Sequence, residues 1–327
     1  MKLLTGVILL HVLALPAAAQ TWTPKTPPPS APGAGASSAT YGGLVYLLRG
    51  GGTKDFLAYD PTTDAWSARA PLSGIADAGA GLAAEGAKLF ALFGGGGNAF
   101  AGYDIATDAW SPLAPAPFPI TDGSGIASAG GFVYALHGSG LYLFGRYHPA
   151  SDAWATLASI PAGAAPGTRL ASLLDGRILV VAGGTTGVWI YDPAIDTWVA
   201  GPPVPVPAGP GSFLARHPDG RLFYHPGGAS TDLYEAPADA ASWTELPADP
   251  PGLPSPTPVA ALSGELFVLT PSTFSSFVAP AAVANDCDCD HGTDFGGCGT
   301  SGGTGNGLAI AAGILVLLYA RRRSASS

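Results

Sequence analysis

Six of the seven tryptophans in this chain stand in register. Trp22, Trp66, Trp110, Trp154 and Trp198 follow one another at intervals of 44 residues, Trp243 comes 45 residues later, and only Trp189 is out of step. Four of the six close an octet: YDPTTDAW (59–66), YDIATDAW (103–110), YHPASDAW (147–154) and YDPAIDTW (191–198). A longer version, YEAPADAASW (234–243), carries two extra residues between its Tyr and its Trp. An internal period of roughly 40–50 residues restricts a chain to architectures that copy one small unit.

The content of one period says what that unit is. Short apolar runs ending in glycine, such as GLVYLLRGGG (43–52), KLFALFGGGG (88–97) and RILVVAGG (177–184), are each followed by a second short run that ends on the repeat tyrosine. Then come an Asp/Pro/Thr turn and the tryptophan. A run of small residues precedes each apolar run, for example GAGLAAEG (79–86). Runs of this length bounded by Gly or Asp-Pro read as strands, which makes four per period, and four-stranded units at this spacing are propeller blades. Apolar-strand units near 44, 88, 132, 177, 221 and 265 give six blades. The last has no tryptophan strand of its own, GELFVLTPSTFSSFVAP (264–280), whereas an unattached one, QTWTPKT (20–26), stands at the start. The N-terminal strand is therefore expected to complete the sixth blade, closing the ring and removing exposed sheet edges.

An apolar strand ending in Gly-Gly, then Tyr, then Trp seven residues on, resembles the kelch repeat. The double glycines are Gly51–Gly52, Gly94–Gly95, Gly183–Gly184 and Gly227–Gly228; the third copy has HGSG instead, and the last has lost Gly-Gly, Tyr and Trp. The resemblance covers roughly residues 20–280 and implies an all-β, six-bladed kelch-type β-propeller. Because they recur across the copies, Trp22, Trp66, Trp110, Trp154, Trp198 and Trp243, with Tyr59, Tyr103, Tyr147, Tyr191 and Tyr234, are read as structural repeat positions packing between blades. The periodic aspartates Asp60, Asp64, Asp104, Asp108, Asp152, Asp192 and Asp196 are read as turn caps.

The two ends carry different signals. MKLLTGVILLHVLALPAAAQ reads as a secretory signal peptide (1–19), with cleavage after Ala19 leaving Gln20 first. Its apolar stretch is too short for a bilayer span, which needs about 20 residues. The propeller is expected over 20–282, a Cys/Gly/Asp-rich stalk over 283–304, a hydrophobic anchor helix of transmembrane type over 305–320, and a basic cytoplasmic tail over 321–327, since Arg321-Arg322-Arg323 marks the inner flank. A glycine-rich spacer with a cysteine, an apolar helix and an arginine cluster together resemble the MYXO-CTERM sorting signal of myxobacterial surface proteins. That resemblance implies that Cys298 is the processing and lipid-attachment position; a plain single-pass anchor is the other reading. Both place the propeller outside the cytoplasm, at the cell surface or outer envelope. A bridge between the remaining Cys287 and Cys289 would close a small, strained ring, and DCDCDHGTD (286–294) lacks the glycine and glutamate of a calcium loop.

Charge narrows the partners. The chain has 14 basic and 23 acidic residues. Four of the basic ones, Lys2 and Arg321–Arg323, lie in the two ends, so the expected ectodomain keeps 10 against 23 and a net charge of −13. This excludes nucleic acid, whose binding rests on clustered Lys and Arg, and leaves the membrane only through the C-terminal anchor. Kelch-type propellers include copper oxidases, sugar-acid epimerases and pure binding modules. The copper site of such oxidases needs a cysteine-modified tyrosine, and the propeller region has no cysteine. Paired carboxylates for glycoside hydrolysis and a Gly-x-Ser-x-Gly elbow are also missing. The histidines read as turn or strand-end residues, although His217 and His225 flank one hairpin and could approach each other. The expectation is a non-catalytic, monomeric module with no cofactor and no metal, binding an extracellular protein or glycan. The alternative is a secreted oxidase, epimerase or glycan-acting enzyme whose site is built from Arg49, Arg69, Arg146, Arg169, Arg216, His217 and His225. Convergence of several of these on one channel mouth discriminates the two.

Overall fold

The computed structural model describes residues 22–228, 230–247 and 258–279. Ala19, Gln20, Cys298, the stalk, the anchor helix and the basic tail lie outside the described residues. Those described form 24 strands and no helix. β1 (Trp22–Pro24) comes first. Blade 1 is β2 (Ser37–Tyr41), β3 (Leu44–Leu48), β4 (Phe56–Asp60) and β5 (Ala65–Ala68). Blade 2 is β6 (Gly81–Glu85), β7 (Lys88–Leu92), β8 (Phe100–Asp104) and β9 (Ala109–Pro112). Blade 3 is β10 (Gly125–Ala129), β11 (Phe132–Leu136), β12 (Phe144–His148) and β13 (Ala153–Thr156). Blade 4 is β14 (Arg169–Ser172), β15 (Ile178–Val181), β16 (Val188–Asp192) and β17 (Thr197–Gly201). Blade 5 is β18 (Phe213–Arg216), β19 (Leu222–His225), β20 (Leu233–Ala236) and β21 (Thr244–Leu246). Blade 6 is β22 (Val259–Leu262), β23 (Glu265–Leu269) and β24 (Phe274–Val278).

Each blade is a four-stranded antiparallel sheet, and β1 adds to β24 as the fourth strand of blade 6, with Trp22 opposite Phe277. The first strands of successive blades touch around a closed ring, β2 to β6, β10, β14, β18, β22 and back to β2. The chain is a six-bladed β-propeller closed by its N-terminal strand.

Six apolar cores separate the blades, one at each seam. Tyr59, Tyr103, Tyr147 and Tyr191 are fully buried in them; a large apolar side chain so placed contributes about 1.5–3 kcal/mol. Each tyrosine sits opposite its tryptophan across the sheet, in the close cross-strand contact that stabilises aromatic pairs.

The polar atoms of the octet join neighbouring blades. The tyrosine hydroxyls donate to Oδ1 of Asp64, Asp108, Asp152 and Asp196 at 2.5 to 2.8 Å. The same oxygens accept the backbone N–H of Thr26, Ala70, Ala114 and Ala158, one blade back. The carbonyls of those four residues accept the indole N–H of Trp66, Trp110, Trp154 and Trp198. The aspartates adopt φ near +50°, a region that Asp tolerates better than most side chains. The first aspartate of the octet does cap its own turn, as Asp60 does with the Thr62 N–H and Asp192 with that of Ala194. The second therefore does more than the turn capping its spacing suggests.

Blade 5 departs from this scheme. Tyr234 stands two residues ahead of the other repeat tyrosines, and Ala236 takes the place opposite Leu222. Among the described residues the Tyr234 hydroxyl reaches only Asp232, at 3.4 Å. Trp243 still donates to the carbonyl of the preceding blade, at Pro202, but proline has no N–H for an aspartate to accept.

Candidate functional site

Up-and-down strands place the loops that enter each blade, and those between its second and third strands, on one face of the ring, here the first face. The remaining turns lie on the second face. Between them runs the central channel, lined by the first strand of every blade.

Ser38, Leu82, Ile126, Leu170, Leu214 and Val259 form a ring that divides the channel. Strand alternation makes this legible once the axis is known, because the side chains lie at one position of each inner strand. Glycine makes room for the ring: a Cβ at Gly125 would lie 2.4 Å from the Leu170 side chain. On the first-face side is a chamber of about 280 Å³ and on the other a chamber of about 260 Å³.

Among the described residues the first-face chamber has two charged residues in its lining, Asp122 and Arg169, and they form no ion pair with each other. Arg169 spans the seam to blade 5, Nε donating to the Ser212 carbonyl and Nη1 to that of Thr168. Burial lowers its pKa, against the opposing pull of the Asp122 charge. The hydroxyls beside it are used by the scaffold: Ser124 accepts from the N–H groups of Thr121 and Gly138, and Thr168 from that of Gly183. On the second face Glu85 and Arg216 line a common depression of about 300 Å³. Burial raises the pKa of Glu85, while the Gly131 N–H and the Ser128 hydroxyl hold it back.

The arginines and histidines considered for an enzyme do not converge. Arg49 pairs with Asp55 at 2.6 Å within blade 1. Arg69 lies at the seam of blades 1 and 2, where its charge helps to depress the pKa of Asp108. Arg169 and Arg216 stand toward opposite ends of the channel. The expectation that His217 and His225 approach each other is not met. Antiparallel register sets His225 opposite Phe213, at one end of the hairpin, and leaves His217 beyond Arg216 at the other. His217 Nδ1 lies 2.7 Å from Asp219. The His225 ring stacks on Phe213, accepts the Gly227 N–H at Nδ1 and lies 3.1 Å from the Ser230 carbonyl through Nε2. His137 packs edge-on against Phe118, and His148 contacts Ser151. Among the described residues no cluster of three or more His, Cys, Asp or Glu could hold a metal ion.

Two features missed in the sequence belong to blade 3. On the first face its loop exposes Leu141, Tyr142 and Leu143 consecutively, by 47%, 49% and 39%. The Ser139 N–H of this loop donates to the Asp122 carbonyl, which sets the loop beside the channel mouth. On the second face a groove of about 640 Å³ opens between blades 3 and 4. Tyr134 and Phe132 of blade 3 line it, with the Arg146 guanidinium 4.4 Å above the Phe132 ring. Asp175, Arg177 and Asp192 of blade 4 form the opposite wall. The signal available in the sequence was departure from the repeat, since HGSG replaces Gly-Gly in this copy and Arg146 stands where blades 1 and 2 have Ala58 and Gly102.

No family model matches the chain, and no curated protein matches it.

Proposed function

We propose that this is an exported, cell-surface-anchored, kelch-type propeller that binds an extracellular protein or glycan through its loops without catalysing a reaction. The observation that carries the binding role is the Leu141-Tyr142-Leu143 loop. Soluble scaffolds seldom expose adjacent large apolar side chains without a partner, and this loop stands at the channel mouth, where propeller loops vary over a constant frame. The scattering of the arginines supports a surface that binds over one that reacts. The kelch-type assignment rests on the Gly-Gly, Tyr and Trp spacing. Export and anchoring rest on the two termini.

The test is a glycan and envelope-protein array probed with the full-length chain and with Tyr142→Ser. Saturable binding lost in the variant, at unchanged Tm, supports the reading; binding indifferent to Tyr142 removes its basis. Intact mass of the native protein tests export and anchoring: a chain starting at Gln20 and ending at a modified Cys298 is expected. A chain that keeps 308–327 with Cys298 unmodified discards the sorting signal.

The enzyme alternative has one specific support, the chamber holding Asp122 and Arg169 without a mutual ion pair. Turnover of a sugar acid or alcohol, abolished by Arg169→Gln, would establish it.

A further inference from the structure

We propose that the groove between blades 3 and 4 is a binding site for a uronic-acid residue of a glycan, whose carboxylate is held by Arg146; this rests on the glycan half of the reading above.

Blade 5 shows what an arginine of this kind looks like when the scaffold satisfies it. Arg221 lies 5.5 Å from the centre of the Phe223 ring and pairs with Asp219 at 2.9 Å and Glu235 at 3.0 Å. Glu235 stands opposite Phe223 across the sheet, the position that Arg146 takes opposite Tyr134 in blade 3. Arg146 likewise lies over a phenylalanine, 4.4 Å from the Phe132 centre. Among the described residues it has no ion-pair partner. The registers differ, since Arg221 takes the strand position of Phe132, but the contrast in partners holds: Arg146 has the Tyr134 hydroxyl and the Phe132 ring beside it and no carboxylate, and it faces an open groove.

The scaffold does not require Arg146. The same strand position holds Ala58, Gly102, Ile190 and Ser276 in blades 1, 2, 4 and 6. Phe132, which supports the guanidinium, stands where the neighbouring blades have Lys88 and Arg177. Two departures from the repeat therefore meet in one groove, and its volume lies in the range of about 300–1,000 Å³ usual for small-molecule sites.

The groove also selects the kind of carboxylate. Asp175 is engaged by Arg177 at 2.7 Å, and Asp192 accepts the Ala194 N–H. Both remain hydrogen-bond acceptors at the rim, since a carboxylate has more lone pairs than these contacts use. A second negative charge would meet them unfavourably, as would an acidic peptide approaching a strongly acidic ectodomain. A sugar ring with one carboxylate and several hydroxyls fits both walls: the planar carboxylate on the guanidinium fork, the hydroxyls on the aspartates.

The experiment uses the full-length chain titrated calorimetrically with the methyl glycoside of glucuronic acid, and with methyl glucoside as the uncharged counterpart. The uronate is expected to bind at least about tenfold more tightly, the discrimination a charged hydrogen-bonded pair commands. Arg146→Met, which keeps the packing on Phe132, should abolish that preference. Arg146→Lys should keep part of it, and Lys54→Gln, at an exposed lysine outside the groove, should leave it intact, each variant with an unchanged Tm. Equal affinity for the two glycosides, no uronate binding, or uronate binding that survives Arg146→Met overturns the site. Glycan binding on the array that depends on Tyr142 but not on Arg146 overturns the groove alone and leaves the broader reading standing. If neither glycan nor protein binds on the array, that reading fails itself.

Discussion

Trp110 donates its indole N–H to the carbonyl of Ala70, 3.0 Å away and one blade back. The N–H of the same alanine donates to Oδ1 of Asp108, which also takes the Tyr103 hydroxyl. One residue of blade 1 is thus gripped on both sides by the octet of blade 2, and blades 3 and 4 repeat the arrangement. Asp108→Ala removes the acceptor and also leaves alanine at φ 51°, a conformation it disfavours. Asp108→Asn keeps an acceptor oxygen and tolerates that conformation. Because Asp108 is exposed, screening holds its hydrogen bonds to the lower end of their range. Urea unfolding should show a loss of about 1–2 kcal/mol for the alanine and roughly half of that for the asparagine. Equal losses, or none, would mean that the aspartate only shapes its turn.

Acid should destabilise the propeller in two separable steps. His225 is buried, and accepting the Gly227 N–H at Nδ1 requires the proton to sit on Nε2, where it is donated to the Ser230 carbonyl. Protonating Nδ1 breaks the first bond, and burial lowers the pKa to about 4 from an ordinary 6.5. The unfolded chain therefore takes up a proton that the folded chain refuses, so stability is lost as pH falls from about 6.5 toward about 4, by on the order of 3 kcal/mol. The aspartates act lower. Asp108, held down first by the Ala70 N–H and then by the Tyr103 hydroxyl, contributes stability that is full above the ordinary carboxylate pKa of about 3.9 and lost below it. Asp64, Asp152 and Asp196 share the direction. Urea midpoints measured from pH 7 to 3 should flatten above pH ~4 in His225→Asn, whose Oδ1 replaces the acceptor without titrating. An unchanged slope there would assign the first step to other groups.

The ring of blades was legible because a scaffold position must recur in every copy. Trp22 could be assigned to the last blade by counting, since an unpaired strand at one end and a missing strand at the other are complementary. The partners of the octet were not legible. That Asp64 binds Thr26, 38 residues earlier, depends on the offset between blades, which periodicity alone leaves free. The channel ring was hidden for another reason. Ser38, Leu82, Ile126, Leu170 and Leu214 lie in small-residue runs whose alternate faces look alike until one of them meets the axis. For His217 and His225, nearness along a hairpin misled, because the register of β18 and β19 separates them by the length of the strand. Arg146 is one of seven candidates named from the sequence; asking which copies depart from the repeat at which position sets it apart from the other six.

Glycines packed against a neighbouring blade should differ sharply from those in open hairpin turns. Gly79 has φ +85°, and a Cβ there would lie 2.0 Å from the Thr121 carbonyl oxygen of blade 3. Gly86 has φ +58° with nothing within 4 Å of its would-be Cβ. Gly86→Ala should cost about 1–2 kcal/mol, the strain of a left-handed alanine. Gly79→Ala adds a backbone collision between the loops that enter blades 2 and 3 and should prevent folding or cost several times as much. Circular dichroism melts of the two variants make the comparison; similar Tm values would show that the inner loops can yield.

Closure of the ring rests on a strand of three residues. Trp22 lies 5.1 Å from Phe277 between ring centroids, and Pro24 pairs with Ser275. Unlike Trp66 and Trp110, the Trp22 indole N–H is buried with no acceptor among the described residues, and Phe277, standing where blades 1 to 4 have tyrosine, has no hydroxyl for an aspartate. Closure therefore depends on the strand hydrogen bonds and on apolar contact with the core between blades 5 and 6. Deleting residues 20–26 should unpair β24, and it also removes Thr26, whose carbonyl accepts Trp66 and whose N–H reaches Asp64. An exposed edge strand recruits another copy, so the deletion variant should elute from size exclusion as dimers and larger species. Trp22→Ala, which keeps the backbone pairing, should stay monomeric and lose about 3 kcal/mol or more through the cavity at Phe277. A monomeric deletion variant of unchanged Tm would show that blade 6 stands without its fourth strand.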